Sequence, residues 1–342
     1  MKAVLTFFAT DAELERVRGK LPNHARVFAP KSRPTLSRLE CSLRDLGDEL
    51  ADADAIMGWV MPTGGFGRAK SLKALIWLHA GCDELDFAML KQRGIQLANV
   101  RGANAISVAE QAMALLLAVA KRIVVNHNSV LQAHWEPQDR LRPEHRGMML
   151  EGKTLAVIGL GSIGTAIAKR ARGFDMRVIG IRRHPEKGGE HVDAVYGMQD
   201  LHKVLREADF VMLATPITEE TTGFMDANAI AAMKPTAVLV NVARGNLVQE
   251  MPLYEALKAG RLAGFASEVW WHYTNSLPAT YHYPIPSRTG LQRLPTVVAS
   301  GNRAGVASPG IIDRVIDIGT ENLAAFFRGE PMPRAIDLDL GY

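Results

Sequence analysis

Short apolar runs alternate with segments of helical hydrophobic spacing along most of the chain. This alternation is typical of α/β folds with parallel sheets. In the first third, it predicts strands at residues 3–7, 55–59, 74–78 and 96–99. It predicts helices at residues 12–20 and 85–93, and a long, mostly apolar helix at residues 107–123.

A second series of the same kind begins near Lys153. Its predicted strands are residues 155–158, 177–181, 210–214, 237–241, 262–266 and 296–299, and its predicted helices are residues 164–173 and 311–327. Residues 134–146 and 273–293 lack periodicity, and the second stretch is rich in Pro and Tyr. Loops this long without periodicity are usually functional or mobile.

The composition indicates an ordinary globular protein. The chain has 342 residues, of which 47% are hydrophobic and 22% charged, and this length predicts two domains at roughly 100–200 residues each. The net charge of +4 is not concentrated in any block, which argues against nucleic acid or a membrane surface as a partner. Because no run of about 18 apolar residues is present, no membrane span is predicted.

Cysteine usage and the first residues favour a reducing compartment. The two cysteines, Cys41 and Cys82, form no Cys-x-x-Cys pair, so neither a disulfide framework nor a metal site is predicted. Residues 1–8 read as a β-strand that is too short for the apolar region of a signal peptide. We therefore expect a cytoplasmic location.

A glycine-rich sequence joins a predicted strand to a predicted helix in the second series. It reads Gly159-Leu160-Gly161-Ser162-Ile163-Gly164. The first glycine of such a motif permits a tight turn, the second lets the backbone approach a pyrophosphate, and the third allows the helix to pack on the strand. The strand-turn-helix context predicts a dinucleotide-binding Rossmann fold, against the alternative of an α/β turn that merely needs glycine.

The end of the following strand indicates which dinucleotide is bound. NAD-selective sites place a carboxylate there to bind the ribose 2′-hydroxyl, whereas this chain has Arg182-Arg183. Guanidinium groups can bind a 2′-phosphate bidentately, so we predict a preference for NADP(H) that leaves room for residual use of NAD(H). The alternative is a pair of solvated surface arginines.

Four further motifs stand in a fixed order along the chain. They are His79-Ala80-Gly81-Cys82-Asp83, Ala103-Asn104-Ala105-Ile106-Ser107-Val108-Ala109-Glu110, Thr215-Pro216-Ile217-Thr218-Glu219-Glu220-Thr221 and Asn241-Val242-Ala243-Arg244-Gly245. Through them, and over about residues 50–335, the chain resembles the D-isomer-specific 2-hydroxyacid dehydrogenases, a group that includes formate and phosphoglycerate dehydrogenases.

The resemblance implies two Rossmann-like, doubly wound parallel-sheet domains. Residues 1–103 and 303–342 would form a flavodoxin-like substrate domain, and residues 104–302 the dinucleotide-binding domain, with the active site in the cleft between them. It also implies a homodimer, built through the helix near residues 108–123 and the segment after it. An ordinary core helix is the alternative for that segment.

The resemblance also assigns contacts to individual residues. The cofactor would contact the loop at Thr215, Pro216 and Thr221, and the strand end at Val242 and Ala243. The small carboxylate substrate would be approached by His79, Ala80, Gly81 and Asn104, with backbone amides near Gly81 able to bind its carboxylate.

Hydride transfer between nicotinamide and C2 of a 2-oxo or 2-hydroxy acid needs a cation for the carboxylate, and an acid for the developing alkoxide. Arg244 matches the family's arginine, whose planar fork suits a carboxylate; a purely structural arginine is the alternative. Glu268 falls where the family usually has an aspartate that contacts the nicotinamide carboxamide. For Glu268 a surface ion pair is the alternative.

Two catalytic positions depart from the family pattern. The family's glutamate falls on Tyr273, and its histidine falls on Asn302, which cannot donate a proton at neutral pH. A different group, with His272, Tyr273 and His79 as candidates, would then supply the proton. Otherwise the reaction needs no proton transfer to oxygen, or the chain binds cofactor without efficient turnover.

These departures leave three classes of function open. The favoured one is an NADP(H)-dependent oxidoreductase acting on a small 2-oxo or 2-hydroxy acid. The second is a cofactor-sensing binding protein, which the missing histidine favours. The third is a reductase of a different oxidised carbon, such as an imine.

Overall fold

The computed structural model describes residues 1–31, 37–133, 146–272, 286–305 and 310–341. Its strands are β1 Lys2–Leu5, β2 Arg26–Phe28, β3 Ala55–Gly58, β4 Ala74–Trp77, β5 Gln96–Ala98, β6 Thr154–Ile158, β7 Arg177–Ile181, β8 Ala194–Tyr196, β9 Phe210–Leu213, β10 Val238–Asn241, β11 Gly264–Ser267 and β12 Val297–Ala299. Its α-helices are α1 Asp11–Lys20, α2 Leu43–Leu46, α3 Gly65–Arg68, α4 Phe87–Gln92, α5 Ala105–Ala120, α6 Ile123–Leu131, α7 Ser162–Arg172, α8 Leu201–Glu207, α9 Ala227–Ala232, α10 Glu250–Lys258 and α11 Ile311–Arg328.

The chain divides into two compact units. The first holds the described residues of Met1–Asn104 and of Ser308–Tyr342. Its sheet has the strand order β2-β1-β3-β4-β5, with every pair parallel. This is the doubly wound order of flavodoxin-like folds, in which the direction of winding reverses between β1 and β3.

Both faces of this first sheet are buried. Leu5 and Met57 point to the face covered by α1 and α11, where Val315 and Leu323 pack on them. The alternate residues of the same strands pack on the opposite face. A strand buried on both faces reads as a continuous apolar run, which is why these segments are visible in the sequence.

The second unit holds the described residues of Ala105–Tyr273 and of Tyr283–Ala307. Its seven-stranded sheet has the order β12-β11-β10-β9-β6-β7-β8, again with every pair parallel. The winding reverses between β6 and β9, as in a Rossmann fold. In such sheets ligands bind beyond the carboxyl ends of the strands at the reversal point, which here is the end of β6.

The predicted α/β class with two doubly wound parallel sheets is confirmed, and most predicted elements are found within two residues of their ends. Strands β2 and β8 were not predicted, because each has three residues that are only partly buried at a sheet edge. The single helix predicted at 107–123 is wrong in one respect. It ends at Ala120, Arg122 takes a left-handed conformation with φ 54°, and α6 begins at Ile123. Strand β11 begins at Gly264 rather than at residue 262.

In the part of the chain that the structure describes, no helix combines the length and the apolarity needed to cross a membrane.

Candidate active site

The glycine loop connects β6 to α7 and is packed too tightly for side chains at two positions. Gly159 has φ +103°, and a Cβ there would lie 2.7 Å from the backbone of Ala214 at the end of β9. A Cβ on Gly164 would lie 1.9 Å from the carbonyl oxygen of Gly159. These two glycines therefore allow the loop to turn at the winding reversal and α7 to pack on β6.

The middle glycine differs from the other two, because a Cβ on Gly161 would meet no atom within 4 Å. Gly161 and Ser162 are exposed, and Ile163 is half-buried. The first N–H groups of a helix have no hydrogen-bond acceptor within the helix, and they lie at the positive end of the helix dipole. The first turn of α7 thus offers N–H donors beside open space, which fits the diphosphate of a dinucleotide.

A cavity of about 590 Å³ lies beside this turn. It is lined by Ser162, Thr165, Arg182, Lys187, Gly189 and Glu190. Arg182 follows β7 directly, and one of its guanidinium nitrogens donates to the carbonyl oxygen of Gly188 at 2.7 Å. The cavity therefore has two cations and two hydroxyl groups, with one carboxylate at Glu190.

Arg183 occupies a different environment from its neighbour. It is exposed and pairs with Glu220 at 2.7 Å, and it does not line the cavity. In the loop after β9, Thr215 adjoins Gly159, and the Thr221 hydroxyl donates to the carbonyl oxygen of Pro216 at 2.9 Å. The Thr221 side chain thus holds this loop closed.

Arg244 follows β10 on a segment shaped by a buried asparagine. The Asn241 side chain is fully buried; it accepts from the N–H of Ala243 at 3.0 Å and donates to the carbonyl oxygen of Arg244 at 2.8 Å. The Arg244 guanidinium is half-buried and donates to the carbonyl oxygen of Ala243 at 2.9 Å. Val242 is buried beneath this turn.

The next residue seals this turn against the neighbouring strand end. A Cβ on Gly245 would lie 2.4 Å from the backbone carbonyl of Trp270 and 2.7 Å from the backbone nitrogen of Trp271. No flexible side chain could move aside at this contact. The backbone that carries Arg244 therefore lies directly against the segment that follows β11.

Glu268 and Asn302 follow two adjacent strands, β11 and β12, at the carboxyl edge of the second sheet. Glu268 is 3% exposed, and its carboxylate accepts from the backbone N–H groups of Arg303 and Ala304. The alternative of a surface ion pair for Glu268 is therefore wrong. Asn302 is exposed and left-handed, with φ 55°, a conformation that asparagine adopts more readily than most residues.

His272 and Glu250 lie beside each other near the start of α10. Nε2 of His272 is 3.8 Å from Oε2 of Glu250. The same carboxylate accepts from the Ser287 hydroxyl at 2.7 Å and from the Thr289 N–H at 3.0 Å. Tyr273, the other candidate on this segment, lies outside the described residues, as do residues 274–285 of the long loop. Of the remainder of that loop, Leu291–Arg293 form a 3-10 turn.

Burial raises the pKa of the Glu250 carboxyl, but hydrogen bonds from the Thr289 backbone and the Ser287 hydroxyl outweigh it, so that this pKa lies below its ordinary value of 4.5. A lowered carboxyl pKa stabilises the fold above the unfolded value, and the stabilisation is lost as pH falls through the folded value. Glu250→Gln is therefore expected to lower the free energy of unfolding by about 2 kcal/mol at pH 7.

The test is urea unfolding of both proteins from pH 7 downwards. The stability difference should be constant above pH 4.5 and should shrink below it. Glu255→Gln, on the same helix, is the control and should change little at any pH. A difference that grows on acidification would contradict the assignment.

In the first unit, His79, Ala80 and Gly81 follow the carboxyl end of β4, and Asn104 lies between β5 and the start of α5. Nε2 of His79 donates to the carbonyl oxygen of Trp59 at 2.9 Å. The carbonyl oxygen of Ala80 accepts from the side chain of Asn99 at 2.7 Å, and Gly81 follows. Oδ1 of Asn104 is buried and has no hydrogen-bond partner among the described residues. A buried acceptor without a donor suits a ligand that brings one.

Four residues that shape the surroundings of the candidate site residues were not themselves predicted as site residues. Asn99, Gln111 and Asn241 are polar residues within or at the end of apolar runs, and that contrast was the available signal. Lys187 is the third cation within six residues of the end of β7, and its charge was visible in the sequence. Within the described ranges, no group of three or more His, Cys, Asp or Glu is arranged to hold a metal ion.

The second unit has the features of a dinucleotide-binding Rossmann domain, namely the strand order, the tight glycine loop and the open helix start. The family model described as D-isomer specific 2-hydroxyacid dehydrogenase, NAD binding domain, matches residues 113–301. The chain belongs to this family. It is an oxidoreductase that uses NAD(P) for hydride transfer on 2-oxo or 2-hydroxy acids.

Known relatives agree with this placement. A glyoxylate reductase from Korarchaeum cryptofilum is 35% identical over 285 residues, covering 80% of this chain and 79% of the relative. The TT0316 protein from Thermus thermophilus superposes with a TM-score of 0.74 at 29% identity, covering 98% of this chain and 100% of that one. An acyclic imino acid reductase, Bsp5, solved with NADPH and D-Arg, has a TM-score of 0.77 at 22% identity with the same coverage, which shows a shared fold.

Proposed function

We propose that the chain is an NADP(H)-dependent reductase of a small 2-oxo acid that forms the D-hydroxy acid. The observation that carries the cofactor preference is the cavity beside the first turn of α7, with Arg182 and Lys187 in its lining. The bound cofactor would supply the hydride. The chain would hold the reacting acid and would bind NAD(H) more weakly than NADP(H).

Arg182 is proposed to make the main contact with the 2′-phosphate. Its guanidinium has one nitrogen bonded to Gly188, which orients the remaining N–H groups, and planar guanidinium groups suit phosphate oxygens. Lys187 adds a second charge, and the hydroxyls of Ser162 and Thr165 add donors. Arg183 is expected to contribute less, because Glu220 already pairs with it.

Cofactor selectivity tests this assignment. Arg182→Gln is expected to raise KM for NADPH by about 10–100-fold while KM for NADH changes little, since a charge-assisted contact contributes about 1.5–3 kcal/mol. Arg183→Gln is the matched control and should change KM for NADPH by a smaller factor. Equal loss for both cofactors, or a larger effect at Arg183, would contradict the assignment.

In the second unit, Arg244 is proposed to bind the substrate carboxylate. In the first unit, His79, Ala80, Gly81 and the Oδ1 atom of Asn104 are proposed as substrate contacts. This assigns the first unit as the substrate domain and the second as the cofactor domain. Two relatives of the chain are named glyoxylate reductase and hydroxypyruvate reductase, so small 2-oxo acids are the first substrates to test.

The proton for the developing alkoxide is proposed to come from a group other than Asn302, since an amide has no acidic proton at neutral pH. His272 is the favoured donor, with Tyr273 as the alternative. The carboxylate of Glu250 lies 3.8 Å from Nε2 of His272, and a histidine that serves as an acid works best beside a carboxylate that orients it.

Asn302 also favours a second candidate, reduction of an imine. The nitrogen of a protonated imine already carries its protons, so hydride addition at carbon yields an amine without a general acid. The fold shared with an imino acid reductase makes this scaffold compatible with such a reaction. Turnover of pyruvate with ammonia, without turnover of pyruvate alone, would select this candidate.

A homodimer is proposed through α5 and α6. On α6, Ile123, Val124, Val130 and Leu131 are 41–71% exposed. Clustered exposed apolar residues of this kind mark association surfaces. Val130→Asp with Leu131→Asp should convert a dimer to a monomer in sedimentation experiments.

A further inference from the structure

The carboxylate of Glu268 is surrounded by N–H donors. Oε1 accepts from two consecutive backbone N–H groups, those of Arg303 and Ala304, the second at 2.8 Å. Oε2 accepts from Nε2 of Gln111 in α5 at 3.1 Å. Because Glu268 is 3% exposed, water cannot replace these donors, and the side chain is committed to the segment that follows β12.

The same segment is held at its start and its end by other side chains. Nε2 of Gln111 also donates to the Ser300 hydroxyl at 2.9 Å, and the Trp270 indole donates to the carbonyl oxygen of Ser300 at 2.8 Å. The Ser107 hydroxyl donates to the carbonyl oxygen of Ala304 at 2.7 Å. Residues 300–304 are thus tied to α5 and to the segment after β11.

Asn302 lies at the centre of this tied segment. Its backbone is left-handed, and it lies between the anchored residues Ser300 and Arg303. A segment of five residues anchored at both ends has few ways to place its middle side chain, so the anchors determine where Asn302 points.

We propose that Glu268 is a positioning residue for Asn302, which acts through the backbone N–H groups of Arg303 and Ala304 and through Gln111. This role rests on the proposed hydride transfer for its kinetic consequence, in which the Asn302 amide would donate a hydrogen bond to the substrate oxygen without giving up a proton. A contact with the nicotinamide carboxamide is not required for it. Aspartate is shorter by one methylene, so its carboxylate would start further from Gln111 and from the two N–H groups.

The chain offers a rescue test of this role. In Glu268→Gln, the amide oxygen can face the two backbone N–H groups, and its NH₂ then faces the NH₂ of Gln111 in the orientation that the Gln111 amide has in this structure. When Gln111→Glu is added, the new amide at position 268 can donate to the new carboxylate at position 111. The Ser300 hydroxyl can also donate to that carboxylate.

Glu268→Gln is expected to lower kcat about 10–100-fold, because a small displacement of Asn302 misplaces its amide, with KM for NADPH nearly unchanged. The double variant should recover most of kcat.

Asp209→Asn is the structural control. Asp209 accepts from the Thr154 N–H at 3.0 Å and pairs with Lys234 at 2.9 Å, at the amino end of β9. This control should lose stability but keep kcat.

Amide hydrogen exchange at Arg303 and Ala304 separates this inference from the proposed function. Exchange should be faster in Glu268→Gln and slow again in the double variant, whether or not the unmodified chain reduces any 2-oxo acid. Unchanged exchange in Glu268→Gln, or a kcat that the double variant fails to recover while both variants remain folded, would overturn the proposal.

Discussion

Replacing Asn302 with histidine is expected to raise kcat for reduction of a 2-oxo acid by about 10²-fold, the lower end of what a general acid contributes. The imidazolium would supply the proton that the asparagine amide cannot. Histidine tolerates the left-handed conformation found at residue 302, so the backbone should not oppose it. The gain is at the lower end because His272 is already proposed to supply a proton, and because Tyr273 stands where the family has the orienting carboxylate.

Adding Tyr273→Glu to Asn302→His should therefore increase kcat further, and kcat should then depend on pH through the new imidazole. Asn302→Gln is the matched control, because it keeps an amide without a transferable proton, and it should give no gain. A fall in kcat on Asn302→His would mean that Asn302 contacts the substrate in a way that histidine cannot reproduce.

Arg244→Lys is expected to lower kcat/KM by about 10²–10³-fold, the effect of removing one donor from a developing oxyanion. Lysine keeps the charge but lacks the planar fork that matches a carboxylate. Both kcat and KM should change, because Arg244 would hold the carboxylate in the ground state and polarise the carbonyl in the transition state.

An arginine on the same domain serves as the control. Arg261 is exposed between α10 and β11, at the opposite edge of the sheet, and Arg261→Lys should leave both constants unchanged. A kcat/KM in Arg244→Lys within about threefold of the unmodified value would show that Arg244 is structural, as its bond to the Ala243 carbonyl would allow.

The sequence was most informative where a residue's surroundings are local. The central strands are buried on both faces, so their apolar runs predicted both sheets, and the glycine loop predicted the turn after β6. Strands β2 and β8 lie at sheet edges with partly exposed residues, and no apolar run marked them. The break between α5 and α6 depends on one left-handed residue, Arg122, in a stretch of otherwise helical composition.

The site was less predictable because its side chains are paired over long sequence distances. Gln111 meets Glu268 across 157 positions, and no local pattern indicates such a partner. The motif around Arg244 identified the residue, but the packing of Gly245 on the Trp270 backbone, beside Arg244, exists only in the folded chain. Likewise, Arg182 and Arg183 look equivalent in the sequence, and their surroundings differ only in the folded chain.

The most direct test of the proposed NADP(H)-dependent 2-oxo acid reduction is to follow NADPH and NADH oxidation by the unmodified protein. The substrates are glyoxylate, hydroxypyruvate, pyruvate and phenylpyruvate. We predict turnover of at least one 2-oxo acid, with kcat/KM at least about tenfold higher for NADPH, equivalent to about 1.4 kcal/mol. Turnover with NADH alone would contradict the cofactor assignment. Binding of NADPH without oxidation by any of these acids would contradict the assignment as a 2-oxo acid reductase.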